Sequence, residues 1–322
     1  KKISLAKNEK ENCKLKSGFA LFNFVRRILR PIVRAGTPKR FNSFSKILDD
    51  EKITREYSPS WVHRQVAEKT KPLFLFSNND IEQWRIEGRE KLIELLSIPN
   101  NPATLKVEEL WQGTDERGSY QKVRLEGEFG SKIPVYICVP FKRRRSGESI
   151  ICLQGHNSGM HNSLAVAKDS EIISTKPAKE GDFVNWCFDN GFTAVCLEQR
   201  CFGERTERHQ LKRSEHPCHD AALQALLLGR TLMGERLADV ELCVRYMQER
   251  DVVAGNSKIG VMGNSLGGTV AVYANAILEE IDFAIGGSCT STLDESIGSI
   301  YHCADLYIPK LREFFEFAEI LG

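Results

Sequence analysis

From residue 149 onward, the apolar positions of this sequence switch between two periods. Short, largely apolar runs at residues 149–153, 192–197, 258–262 and 281–285 read as strands. Between them lie stretches whose apolar residues recur three and four apart, the spacing of one helix face. The clearest is 232–250, where Met233, Leu237, Val240, Val244 and Met247 follow one another at +4, +3, +4 and +3. Residues 182–190 read as a shorter helix closed by Gly191. Strands alternating with helices imply a largely parallel sheet with helices on both faces. Upstream, residues 79–96 read as a helix capped by Asn79 or Asp80, with Ile81, Trp84, Leu92 and Leu95 on one face. Gly88 weakens it, and Ile98-Pro-Asn-Asn-Pro102 stops it. Residues 104–111, 119–127 and 132–139 read as strands, with glycine turns between them. Residues 296–321 read as mostly helical.

Composition narrows the class. The chain has 322 residues, enough for one large α/β domain with additions, and its 41% apolar and 27% charged content is ordinary for a globular protein. No run of 18 apolar residues offers a membrane-spanning helix. Ten cysteines are scattered without a CxxC pair, and Cys138, Cys152, Cys196 and Cys289 sit in apolar runs. Buried free thiols in a reducing, cytoplasmic setting fit this better than a disulfide framework.

The net charge of +2 hides an asymmetry: residues 1–46 carry 13 Lys/Arg against 2 Asp/Glu, and the remainder 32 against 41. Residues 1–78 are therefore expected to form a basic arm and linker, and 79–322 the folded domain. Residues 17–34 mix Phe, Leu, Ile and Val with four arginines. They suit a basic helix lying on an anionic membrane, part of an organelle transit segment, or an arm packed on the body. Arg143-Arg-Arg-Ser-Gly147 is a basic turn and, being short and isolated, is read as solvated rather than as a nucleic-acid contact. The first residue is Lys1, so the natural N-terminus is expected to be missing or processed.

The chemistry concentrates at Gly263-Asn264-Ser265-Leu266-Gly267-Gly268, between the 258–262 strand and an Ala/Val-rich helix. A serine flanked by glycines two positions either side, at a strand-to-helix turn, is a nucleophile elbow: the strained turn exposes the hydroxyl, and strand and helix approach too closely for other side chains. The helix N-terminus at Ser265 also favours negative charge there. In such a site the N–H after the nucleophile, here Leu266, is one oxyanion donor. A loop after an earlier strand supplies the other. Gln154-Gly-His-Asn-Ser-Gly159 is that loop, with the Asn157 N–H preferred over that of His156. Arg200, at the end of the next strand, either meets substrate or ties its loop to a carboxylate. His216-Pro-Cys218-His219-Asp220 carries metal-ligand residue types, but no second cluster accompanies it, so it reads as a loop with Asp220 capping a helix and no metal is expected. After Ser265 there is one histidine, His302, preceded by Asp294, so a Ser265–Asp294–His302 triad is available but atypical.

These pieces together resemble the bacterial α/β-hydrolases of the acetyl-xylan-esterase-like and dienelactone-hydrolase-like kinds. The matching segments are LQGHNSG at 153–159, CLEQRCFGER at 196–205, HPCHDAALQALLLGRTLMGER at 216–236, GNSLGG at 263–268 and SIGSIYHCADLYIP at 296–309. The resemblance implies a doubly wound, mostly parallel α/β-hydrolase sheet and ester hydrolysis with Ser265 as nucleophile. It implies a small-molecule ester substrate and no cofactor. Such proteins continue with a strand carrying the acid and a loop carrying the histidine; the sequence stops at Gly322 where that strand is due. The sheet is therefore expected to lack its last strands, with the base either beyond residue 322 or at His302. A serine peptidase, or a non-catalytic body of the same fold tethered by its basic tail, are the alternatives.

Overall fold

The computed structural model describes residues 57–76, 80–156, 159–164, 182–207, 217–250, 252–253 and 257–321. The expectations for the basic tail, for the 17–34 segment and for Asn157 lie outside the described residues. The chain divides into two compact units, Lys1–Val66 and Ala67–Gly322. In chain order the elements are α1 (Pro59–Lys69), α2 (Ile81–Leu96), β1 (Val107–Thr114), β2 (Gly118–Glu126), β3 (Lys132–Pro140), β4 (Ser149–Leu153), α3 (His161–Leu164), α4 (Phe183–Asp189), β5 (Thr193–Leu197), α5 (Pro217–Leu227), α6 (Leu232–Glu249), β6 (Ile259–Asn264), α7 (Leu266–Ile277), β7 (Phe283–Gly287), α8 (Leu311–Phe314) and α9 (Phe317–Leu321). No described helix is long and apolar enough to cross a membrane.

Among the described residues, seven strands form one sheet in the order β1-β2-β3-β5-β4-β6-β7. The pairs β1/β2, β2/β3 and β3/β5 are antiparallel, while β5, β4, β6 and β7 are parallel throughout. Five strands therefore run the same way and only β1 and β3 oppose them, the mostly parallel α/β sheet expected. From β4 the chain moves to β5 on one side, then returns to β6 on the other. That reversal opens a crevice beyond the carboxyl ends of β4 and β6, the place where such sheets bind ligands.

Strand alternation divides the core between the two faces. Ile151, Leu153, Val195, Leu197 and Val261 join one cluster, with α6 and α7 packed on it. Ile150, Cys152, Ala194, Cys196 and Met262 join the other, covered by Cys187 and Phe188 of α4. On α6 all five residues of the predicted stripe are buried. Thr231 caps this helix, accepting from the Gly234 N–H at 2.8 Å while its hydroxyl donates to the Leu96 carbonyl at 2.6 Å. Asp80 caps α2 through the Gln83 N–H at 3.0 Å, and Ser97 ends it in the left-handed conformation.

Four expectations are corrected. On α2 the buried residues are Leu92, Leu95 and Leu96, whereas Ile81 is exposed and Trp84 only partly covered, because the first turns run past the edge of the core. The last strand is β7, two residues beyond the apolar run at 281–285: Ile281 is buried as a loop anchor and Gly286 and Gly287 extend the pairing with β6. Residues 296–321, read as mostly helical, hold only a 3-10 turn at Ala304–Leu306 and the short helices α8 and α9. Lys310 in the left-handed conformation and the extended Phe315 interrupt them. This end packs back on residues 70–74: the Phe74 N–H donates to the Phe314 carbonyl at 2.8 Å, and Phe74 stacks on Phe315 at 5.2 Å. Finally, α5 begins at Pro217, not Asp220, since proline suits a first helical position where its missing N–H costs nothing.

Candidate active site

Ser265 stands between β6 and α7 with φ 54° and ψ −123°, a sparsely populated conformation for a residue with a side chain. The side chain is exposed while Gly263, Leu266 and Gly267 around it are buried. The glycines are there for space. A Cβ on Gly263 would lie 2.2 Å from the backbone of Gly267, and one on Gly267 would lie 2.1 Å from the Leu153 carbonyl oxygen of β4. The elbow is held by the Ser265 N–H donating to the Gly287 carbonyl at 2.7 Å. Leu266 is the first residue of α7, so its N–H falls outside the helix's own ladder and lies immediately after the serine. Gly155, at the start of the loop after β4, approaches so closely that a Cβ there would be 3.2 Å from the Ser265 Cβ.

Ser265 opens into a cavity of about 650 Å³. Its walls include Phe202, Leu293, Ile297 and Ile300, with His156 and His302 among the polar residues. Asp294 and His302, the atypical pair that the sequence made available, are not brought together. Both Asp294 carboxylate oxygens are taken by the Arg312 guanidinium, at 3.0 and 2.9 Å. The His302 Nε2 meets the Ser296 hydroxyl at 2.9 Å.

His156 is instead paired with a buried acid that the sequence did not single out. Its Nε2 lies 3.2 Å from Asp305 Oδ2, which also accepts from Arg236 Nη1 at 2.7 Å. Burial works against the imidazolium, but the bonds to Asp305 and Cys303 outweigh it and raise the His156 pKa to about 9. Burial also works against the Asp305 anion; His156 and Arg236 together overcome this and hold the carboxyl well below its usual range. Arg236 of α6 is a fully buried guanidinium, and such a charge requires a partner, but only folding shows its burial.

A second missed residue is Glu198, at the end of β5. Its carboxylate accepts the Met160 N–H at 3.0 Å and the Glu204 N–H at 3.2 Å, joining the loop after β4 to the loop after β5. Burial is the largest influence on it and pushes its pKa up to about 7, against those two N–H groups. Arg200 ties its loop rather than facing the cavity: it grips Asp239 of α6 at 3.0 and 3.1 Å and Glu235 at 2.9 Å. Arg205 adds a bond to Asp239 at 2.6 Å.

A profile of the Abhydrolase family matches residues 40–284. Among solved structures, a Bacteroides fragilis protein given the provisional name acetyl xylan esterase superposes with a TM-score of 0.69 at 16% identity, over 82% of this chain and 72% of that one. The glucuronoyl esterase from Solibacter usitatus superposes with a TM-score of 0.50 at 12% identity, over 79% and 78%. At these identities the likeness is one of fold. No curated protein matches the sequence.

Proposed function

The chain belongs to the Abhydrolase family, and from that premise we propose that it hydrolyses a small carboxylic ester through an acyl-enzyme on Ser265. The observation that carries this reading is the backbone of Ser265 itself. A serine held at φ 54° and ψ −123°, exposed at the floor of a 650 Å³ cavity, is a conformation that the fold maintains against strain. In the reaction the Ser265 Oγ attacks the ester carbonyl as its proton passes to a base. Charge then develops on the carbonyl oxygen, beside the N terminus of α7. The Leu266 N–H and the N–H of Asn157 are the donors proposed for that oxygen, donors that strengthen as its charge grows. Collapse expels the alcohol, and water releases the acid by the same route in reverse. The apolar wall of Leu293, Ile297 and Ile300 suits a compact acyl or alcohol group over a highly charged one.

The test is a fluorophosphonate probe followed by peptide mapping, together with hydrolysis of p-nitrophenyl acetate. The adduct is expected on Ser265 alone. Ser265→Ala is expected to lose it and to lower kcat/KM by about 10⁴-fold or more. A folded protein that forms no adduct would overturn the reading in favour of a non-catalytic body. Cleavage of peptide substrates without ester turnover would replace it with a peptidase.

A further inference from the structure

In the sequence, Cys218 stands among metal-ligand residue types with no second cluster to complete them. The fold supplies that cluster from elsewhere. His219 and Asp220 pair with each other at 3.2 Å on the outside of α5, whereas Cys218 is buried. It meets His156 from the loop after β4, with Cys303 and Asp305 from the approach to the 304–306 turn. One donor atom from each of these four side chains lies within 4.8 Å of those of the other three. Asp305 has no exposed side-chain surface, and while its Oδ2 is shared by His156 and Arg236, its Oδ1 has no hydrogen-bond partner. A buried carboxylate oxygen left without a partner is costly and calls for one.

We propose that His156, Cys218, Cys303 and Asp305 bind a zinc ion in the wall of the Ser265 cavity. Two thiolates and an imidazole select a borderline-soft cation, and a carboxylate is also a common zinc ligand. In a tetrahedral site with zinc–sulfur bonds of about 2.3 Å and zinc–nitrogen or –oxygen bonds of about 2.0–2.1 Å, ligand atoms stand about 3.3–3.8 Å apart. The quartet needs to tighten by roughly 1.5 Å at most to reach that. Charge also balances: one divalent cation and Arg236 offset two thiolates and one carboxylate. Arg236 already occupies an outer-shell position, with Nη1 on Asp305 at 2.7 Å and Nη2 3.5 Å from the Cys218 sulfur.

Four protein ligands leave no open position, so this is a bracing site rather than a catalytic one. Its ligands come from three segments far apart in sequence, and His156, Cys218 and Cys303 all line the cavity. The ion would fix His156, just after β4, against α5 and against the otherwise irregular 288–303 wall. The inference stands on the quartet's own geometry and does not require Ser265 to be a nucleophile.

The experiment is metal analysis of the full chain purified with reductant and without chelator. It is followed by zinc titration of metal-stripped protein against a chromophoric chelator, with thermal unfolding read in parallel. About one zinc per chain and a rise in Tm on zinc addition are expected. Cys303→Ser and His156→Ala, both at partly exposed positions, are expected to stay folded by circular dichroism and to lose zinc affinity by at least about 100-fold, the upper end of what outer-shell changes alone cost. Cys289→Ser, on the same cavity wall but outside the quartet, is expected to bind as the parent does. Failure of the parent chain to bind zinc, or unchanged binding in both ligand variants, would overturn the proposal. A Cys218–Cys303 disulfide in place of metal, in protein handled with reductant, would overturn it as well. Ser265→Ala retains the zinc, which separates this result from failure of the esterase reading.

Discussion

Ser265 and Glu198 show how single residues here are held away from their own preferences. Ser265 carries a side chain in a conformation costing about 1–3 kcal/mol. Ser265→Gly should relieve most of that and raise stability by about 1 kcal/mol, whereas Ser265→Ala should not. Both would be inactive, and denaturant titration of the two variants tests the difference. Glu198 binds its proton more tightly folded than unfolded, because burial raises its pKa to about 7 from the usual carboxylate value. Its contribution is therefore fully present at acid pH, below the unfolded pKa. It declines as pH rises from about 4.5 through about 7. Glu198→Gln should flatten that part of the stability–pH curve. It should also cost about 1–3 kcal/mol, since the amide can accept only one of the two backbone N–H groups. Urea midpoints measured across this range check both effects.

Glycines and caps set how closely several elements approach one another. β6 and α7 meet at Gly263 and Gly267, and α7 touches β4 where a Cβ on Gly267 would sit 2.1 Å from the Leu153 carbonyl. Gly267→Ala should cost about 3 kcal/mol, since neither backbone can move without shifting the sheet, and calorimetry reads this as a lower Tm. Thr231 caps α6 and binds the end of α2, 135 residues distant, and Gly234 fits against the same Leu96 carbonyl. Thr231→Ala should cost about 2 kcal/mol, the upper part of the range for a lost cap, because the Leu96 carbonyl is orphaned with it. Element identity was legible wherever one force dominated. The apolar runs at β4 and β5 and the stripe on α6 declare themselves because burial on a sheet or helix face imposes a strict period. Residues 296–321 misled because apolar spacing alone does not reveal an interruption made by backbone conformation, here at Lys310 and Phe315.

Across the whole molecule, the two faces of the sheet differ in how they meet solvent. Cys138, Cys152 and Cys196 on the sheet and Cys187 of α4 sit together, fully buried, and burial pushes the thiols of Cys138 and Cys152 well above their ordinary range. Cys289 is partly exposed at the cavity. Maleimide labelling of the folded protein should modify Cys289 within minutes and reach the α4 group only at the rate of global opening; mass spectrometry of timed samples distinguishes them. The elbow was readable in the sequence because its glycines and serine are contiguous. The His156–Asp305–Arg236 group was not, since its members are separated by 149 and 69 positions and only folding makes them neighbours. The Glu198 clamp has one more consequence, for how far this cavity can be reshaped. Its carboxylate holds Met160 and Glu204 by their main chain, and a Cβ on Gly159 or Gly203 would strike it or its neighbour backbone. The two loops therefore cannot change length separately, and insertions tolerated on most surface turns would break the clamp here. The freedom to reshape the cavity lies across it, in residues 288–303, which is where a designer should graft and where homologues of different specificity should diverge.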